Sequence, residues 1–166
     1  MSKLNSMRLL EAKNIPYEVL TYEPITRDAE EVAELIGLPP FMVFKTLVVQ
    51  SVETGKPLLA LLPSDRQLDL KRMAASAGEK KVKLASHTDA EALTGLKVGG
   101  ISPLMLTDKN WKVYVDKSAV ELQNIVISAG QRGTQLRVPT MPVLTLLRAR
   151  IVDIVQPDAP TQRDSV

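Results

Sequence analysis

Lys45 stands inside the run Pro39-Pro40-Phe41-Met42-Val43-Phe44-Lys45-Thr46-Leu47-Val48-Val49, which is apolar on both sides of its one charge. An ammonium so placed sheds hydration, and it must find partners or titrate at a lower pH. The strand alone leaves a second reading open, a lysine on a solvent face that snorkels along its own stem. A second stretch with chemical use is Gly99-Gly100-Ile101-Ser102-Pro103. Its two glycines permit positive φ and close approach of another molecule to the backbone, and Pro103 stiffens the exit. Such a loop can aim N–H groups at a carbonyl oxygen or an oxyanion, with the Ser102 hydroxyl as a further donor. Ser128-Ala129-Gly130-Gln131-Arg132-Gly133 is a third, a glycine-rich turn after a strand. Taken singly, each glycine stretch is better read as an ordinary turn.

The residues that are missing narrow the chemistry. Without cysteine there is no thiol nucleophile, disulfide or thiolate metal site. The single histidine, His87, excludes a multi-histidine metal centre. Within Ala85-Ser86-His87-Thr88-Asp89 it reads as a solvated residue at a helix start. Chemistry must therefore come from backbone donors, hydroxyls, lysine, carboxylates or the substrate. A net charge of +2 carries no global signature of a nucleic-acid coat, although a local basic face stays open. The longest apolar runs fall far short of the ~18 residues of a spanning helix, and the N-terminus has no apolar leader. No membrane partner is expected, and a cytoplasmic location is.

Patterning supplies the elements that must position these residues. Helices are predicted over 2–13, from Thr26 to a stop at Gly37, over 70–77 capped by Asp69, from Thr88 or Asp89 to Gly95, and over 140–147. Strands are predicted over 17–22, 43–52, 57–62, 80–84, 112–116, 124–128 and 149–155, with 104–106 and 136–138 as further candidates. Glu53-Thr54-Gly55-Lys56 makes the second and third strands a hairpin, and 129–133 is expected to be a turn. At 166 residues this is one domain, residues 1–155, with a mobile tail from 156 to 166. Segregated strands and helices predict an α+β fold: a mixed, curved, partly barrel-like sheet flanked by short helices.

Four motifs occur in order: Lys45-Thr46-Leu47-Val48-Val49, Gln67-Leu68-Asp69-Leu70-Lys71, Gly99-Gly100-Ile101-Ser102-Pro103-Leu104 and Ser128-Ala129-Gly130-Gln131-Arg132-Gly133. Together they resemble the YbaK/EbsC family, aminoacyl-tRNA deacylases related to the insertion domain of prolyl-tRNA synthetases. The likeness runs from Leu10 to about Asp153, and the Gly-Gly-Ile-Ser-Pro form is similar to the YbaK branch. It departs soon after Ser102-Pro103-Leu104, where Met105-Leu106-Thr107-Asp108-Lys109 replaces an expected glycine and further basic residues and makes the rim of the pocket more apolar, and at Gln131, where lysine is often expected.

The resemblance implies a trans-editing deacylase, independent of metal and cofactor. Such an enzyme removes a mischarged amino acid, cysteine on the branch likeness, from tRNA(Pro) by substrate-assisted ester cleavage. It implies that Lys45, Gly100 and Ser102 are catalytic. Tyr22, Gly99, Ile101, Pro103, Ser128, Gly130 and Arg132 would bind substrate. The implied partners are the aminoacylated 3′ end of tRNA and a prolyl-tRNA synthetase. Two alternatives stay open: alanyl-tRNA(Pro) as substrate, and a non-catalytic module that binds aminoacyl-nucleotide or tRNA in a regulatory role.

Overall fold

The computed structural model describes residues 2–157. Of the expected tail only 156 and 157 are described, and Gln156 donates its N–H to the Gln67 carbonyl at 2.9 Å. The expectation of mobility for 158–166 lies outside the described residues.

Among the described residues five α-helices and eight strands form: α1 Asn5–Ala12, β1 Glu18–Thr21, α2 Ala29–Ile36, β2 Phe44–Ser51, β3 Pro57–Pro63, α3 Leu70–Ala77, β4 Val82–Leu84, α4 His87–Thr94, β5 Val113–Asp116, β6 Asn124–Gln131, β7 Thr134–Pro139, α5 Thr140–Leu146 and β8 Arg150–Val152. The mixed α+β architecture is the one expected. The strands divide between a three-stranded sheet, β1-β7-β6, and a five-stranded sheet, β4-β2-β3-β5-β8. These sheets do not close into a barrel. An isolated parallel bridge, Val43 to Val126, joins them.

The apolar run of β3 follows from burial on both faces. Leu59 and Leu61 pack with Ile125, Ile127, Leu136 and Val138 between the sheets. Leu58, Ala60 and Leu62 face the other way, onto Met73 and Ala74 of α3 and onto Ile154. The parallel pairings of β3 with β5 and β5 with β8 need crossovers, and residues 64–112 and 117–149 supply them.

Short polar side chains set the helix starts. Asp28 accepts from Glu30 N–H at 3.0 Å and Asp69 from Arg72 N–H at 3.0 Å. Gly37 and Gly78 close those helices in the left-handed conformation. Helix α4 is capped by Ser86, not by Thr88 or Asp89: its hydroxyl accepts the Asp89 N–H at 3.1 Å, three residues on. Residues 104–106 are not a strand. Ser102 Oγ takes the Leu104 N–H and Pro103 fixes the next φ, so the chain winds into a 3-10 turn over Pro103–Met105. Strand β6 continues to Gln131, which shrinks the expected 129–133 turn to Arg132 and Gly133. Among the described residues no helix is long and apolar enough to cross a membrane.

Candidate active site

Lys45 lies near the start of β2, two residues beyond the bridge that joins the sheets. Its face of the strand also carries Leu47 and Val49, which pack toward α3, so it is not a solvent face. The side chain is half-buried. Burial is the main influence on its ammonium and pushes its pKa below the usual lysine range, while Asp28, Glu30 and Asp65 pull it partly back.

A cleft of about 250 Å³ opens beside Lys45. Val32, Val43, Phe44, Leu47 and Ile101 give it apolar walls. Its polar lining comes from separate elements: Arg27 and Asp28 before α2, Lys45 and Thr46 on β2, His87 at the start of α4, and Ser128 with Gln135. Ser128 and Gln135 are direct partners across β6 and β7, which turns both toward one face. Both are buried, at 8% and 6% exposure, a strong constraint on whatever polar atoms meet them.

The Gly99 loop forms the remaining wall and is held at Val98 from two sides. Val98 donates its N–H to Glu91 Oε2 at 2.8 Å, and its carbonyl accepts from Arg132 Nε at 2.8 Å. That N–H contact, reinforced by Lys97, Arg27 and Arg132, holds the Glu91 carboxyl below the ordinary carboxylate range.

Of the residues singled out in the sequence, the structure gathers Lys45, Gly99, Ile101 and Ser128 around this cleft. The others stand behind it. Gly100 is buried against the β6–β7 turn, where an added Cβ would lie 2.8 Å from Arg132 N and 2.9 Å from the Gln131 carbonyl carbon. Its lack of a side chain thus serves close approach within the molecule, and its N–H is already donated to the Lys97 carbonyl at 2.7 Å. Ser102 is fully buried and caps the 3-10 turn. Pro103 faces a different cavity.

Gly130, at φ +106°, forms a bulge in β6, and Met105 lies across it: a Cβ there would meet Met105 Cγ at 2.4 Å. The methionine expected at the pocket rim is therefore a lid on that bulge. Arg132 secures the loop rather than lining the cleft. Tyr22 is half-buried beside Gly133, accepting and donating nothing through its buried hydroxyl, and it too lies outside the lining.

Sequence reasoning missed Arg27, Asp28, His87 and Gln135 as cleft residues. For His87 the signal is not local. Strand β4 pairs antiparallel with β2, and Ala85 N–H donates to the Val48 carbonyl at 2.9 Å, which delivers the start of α4 to the cleft. Among the described residues no three His, Asp or Glu side chains cluster as metal ligands.

A family model described as an aminoacyl-tRNA editing domain matches residues 23–145. A protein of Enterococcus faecalis, provisionally named Cys-tRNA(Pro)/Cys-tRNA(Cys) deacylase EbsC, is 35% identical over 92% of this chain and 93% of its own length. Proline–tRNA ligase of Staphylococcus aureus is 25% identical over 68% of the chain, which spans 19% of that enzyme. In fold, the chain is similar to a crystal structure provisionally described as a trans-editing enzyme for prolyl tRNA synthetase. That match has a TM-score of 0.78 at 21% identity and covers 94% of this chain and 99% of that one.

Proposed function

The chain belongs to the YbaK/EbsC family of aminoacyl-tRNA editing domains, and from that membership we propose that it is a trans-editing deacylase that clears cysteine from tRNA(Pro). The observation that carries the reading is the cleft itself: one half-buried lysine faces a small, mostly apolar hollow walled by the Gly99 loop.

The cleft suits the 3′ end of an aminoacylated tRNA. Lys45 and Arg27 offer positive charge to the terminal ribose and phosphate. Ser128 and Gln135 offer polar atoms to the aminoacyl ester, and the apolar walls hold the side chain and exclude water. In the substrate-assisted step the cysteine thiol attacks its own ester carbonyl. A carbon–sulfur bond forms, the ester carbon–oxygen bond breaks, and the thiol proton goes to the departing ribose oxygen. The protein needs no nucleophile of its own for this. Its contribution is to fold the aminoacyl group into attacking geometry and to stabilise the charge that develops on oxygen.

One observation favours a second reading, alanyl-tRNA(Pro) cleaved by water. His87 lines the cleft, and an imidazole there can accept a proton from an attacking water. Single-turnover deacylation of cysteinyl-, alanyl- and prolyl-tRNA(Pro), with and without prolyl-tRNA synthetase, separates the two. Selective loss of cysteine, unchanged in His87→Asn and absent in Lys45→Ala, supports the thiol route. Selective loss of alanine that depends on His87 supports the water route. No turnover of any ester would make the protein a binding module.

A further inference from the structure

Pro103 lines a second cavity, of about 640 Å³, on the other side of the loop that walls the Lys45 cleft. Thr107, Asn110, Trp111, Lys112, Arg148 and Arg150 form much of its wall. Three cations line this hollow and, among the described residues, no carboxylate does. Lys109, outside that lining, holds its Nζ 5.6 Å from the centre of the Trp111 ring. Lys112, Arg148 and Arg150 are exposed, and Trp111 is half-buried. In a chain whose net charge is only +2, this is a strong local concentration of positive charge. Arg148 sits just past the end of α5 at φ 53°, a left-handed position that glycine adopts more easily. The sequence places a cation there instead.

We propose that this hollow is a second RNA subsite, which takes the unpaired nucleotides leading to the aminoacylated 3′ end. Trp111 supplies a stacking face for one base, and Lys112 and Arg148 neutralise the flanking phosphates. An aromatic ring set among cations in a concave surface is how single-stranded nucleic acid is bound without sequence preference. The two hollows border the same buried loop, with Ile101 on the first and Pro103 on the second. The inference rests on the deacylase reading for the identity of the strand.

Trp111 is the chain's one tryptophan, so its emission reports on the hollow directly. The experiment titrates the protein with uncharged tRNA(Pro), and with a short single-stranded RNA ending in cytidine-cytidine-adenosine. Trp111 emission and the anisotropy of 5′-labelled RNA are followed together. The expected result is quenching that saturates with the anisotropy change. The double variant Lys112→Gln/Arg148→Gly should bind at least about tenfold more weakly, with the salt slope reduced by one to two. The glycine relieves a left-handed backbone position, and thermal melting verifies the fold.

Absent RNA binding, bound RNA with unaltered emission, or unaltered affinity in the double variant would each overturn the proposal. So would intact RNA affinity with lost binding to prolyl-tRNA synthetase, since the hollow would then be a protein interface. Wild-type cleavage of a minimal aminoacyl-adenosine, which engages the Lys45 cleft alone, reads the deacylase activity separately. Its failure is a failure of the function and not of the subsite.

Discussion

The two hollows on either side of the Gly99–Pro103 loop differ in how they hold charge. In the first cleft Lys45 is half-buried and titrates low because water is withdrawn from it, with the exposed Arg27 at the edge. In the Trp111 hollow the lining cations Lys112, Arg148 and Arg150 are exposed, and Lys109 lies over the ring itself. Desolvation strengthens what a charge does to a reacting atom but destabilises the fold that carries it. Exposure leaves the charges cheap to keep and suited to capture, where each phosphate neutralised adds affinity and salt removes it. On the proposed readings, chemistry and capture fall to hollows that differ in burial.

Substitution at Lys45 tests the buried side of this contrast and has the largest expected effect. Lys45→Ala should lower single-turnover deacylation by at least about 100-fold while circular dichroism stays unchanged. Turnover close to wild type would end the role assigned to it. Lys45→Met should lose activity equally, yet melt at the same temperature or be up to about 1 kcal/mol more stable at neutral pH. The sign follows from linkage. A lysine whose folded pKa lies below 10.5 releases its proton more readily in the folded state. The folded protein therefore bears the penalty at low and neutral pH and is relieved of it as pH rises toward 10.5. Any advantage of Lys45→Met should shrink over that range.

Next in size is Gly100→Ala. The added methyl meets main chain at 2.8 and 2.9 Å, so the Gly99 loop or the β6–β7 turn must move. A loss of about 1–3 kcal/mol is expected, seen as a melting temperature lower by about 2–4 °C per kcal/mol. Wild-type melting would mean that the two segments are not tied together. Ser102→Ala should remove about 1 kcal/mol by deleting the cap of the Pro103–Met105 turn, a loss visible in denaturant midpoint.

The smallest effect concerns Glu91. Its folded pKa is depressed, so its tie to Val98 contributes above the unfolded value of about 4.5 and is lost as pH falls through the folded value. Glu91→Gln should flatten that acid limb in a series of melts. An unchanged limb would assign the loop's acid sensitivity elsewhere.

Much of this molecule was legible from its sequence. The helix start at Asp69 and the stops at Gly37, Gly78 and Gly95 follow from short-range hydrogen bonds and one backbone conformation, which neighbouring residues specify, whereas α2 is capped by Asp28, two residues past the expected Thr26. The β2–β3 hairpin follows from its turn and flanking apolar runs. Lys45, the Gly99 loop and Ser128 could be singled out because an unusual residue in an unusual setting is itself a local signal. The 3-10 turn at 103–105 was less legible. Leu104 and Leu106 are as apolar as strand residues, and the Ser102 cap with Pro103 winds the chain into a turn instead.

What tertiary structure alone decided is which of those residues share a wall. Nothing near His87 predicts the cleft: it arrives there because β4 pairs with β2 thirty-odd residues back in the chain. Gly100 and Ser102 carry the same local signal as Gly99 and Ile101, but one faces the β6–β7 turn and the other caps its own loop. Sequence fixes propensities over a few residues, where the chain is its own environment. Whether a glycine admits a ligand or another stretch of backbone depends on what the long-range pairings bring opposite it.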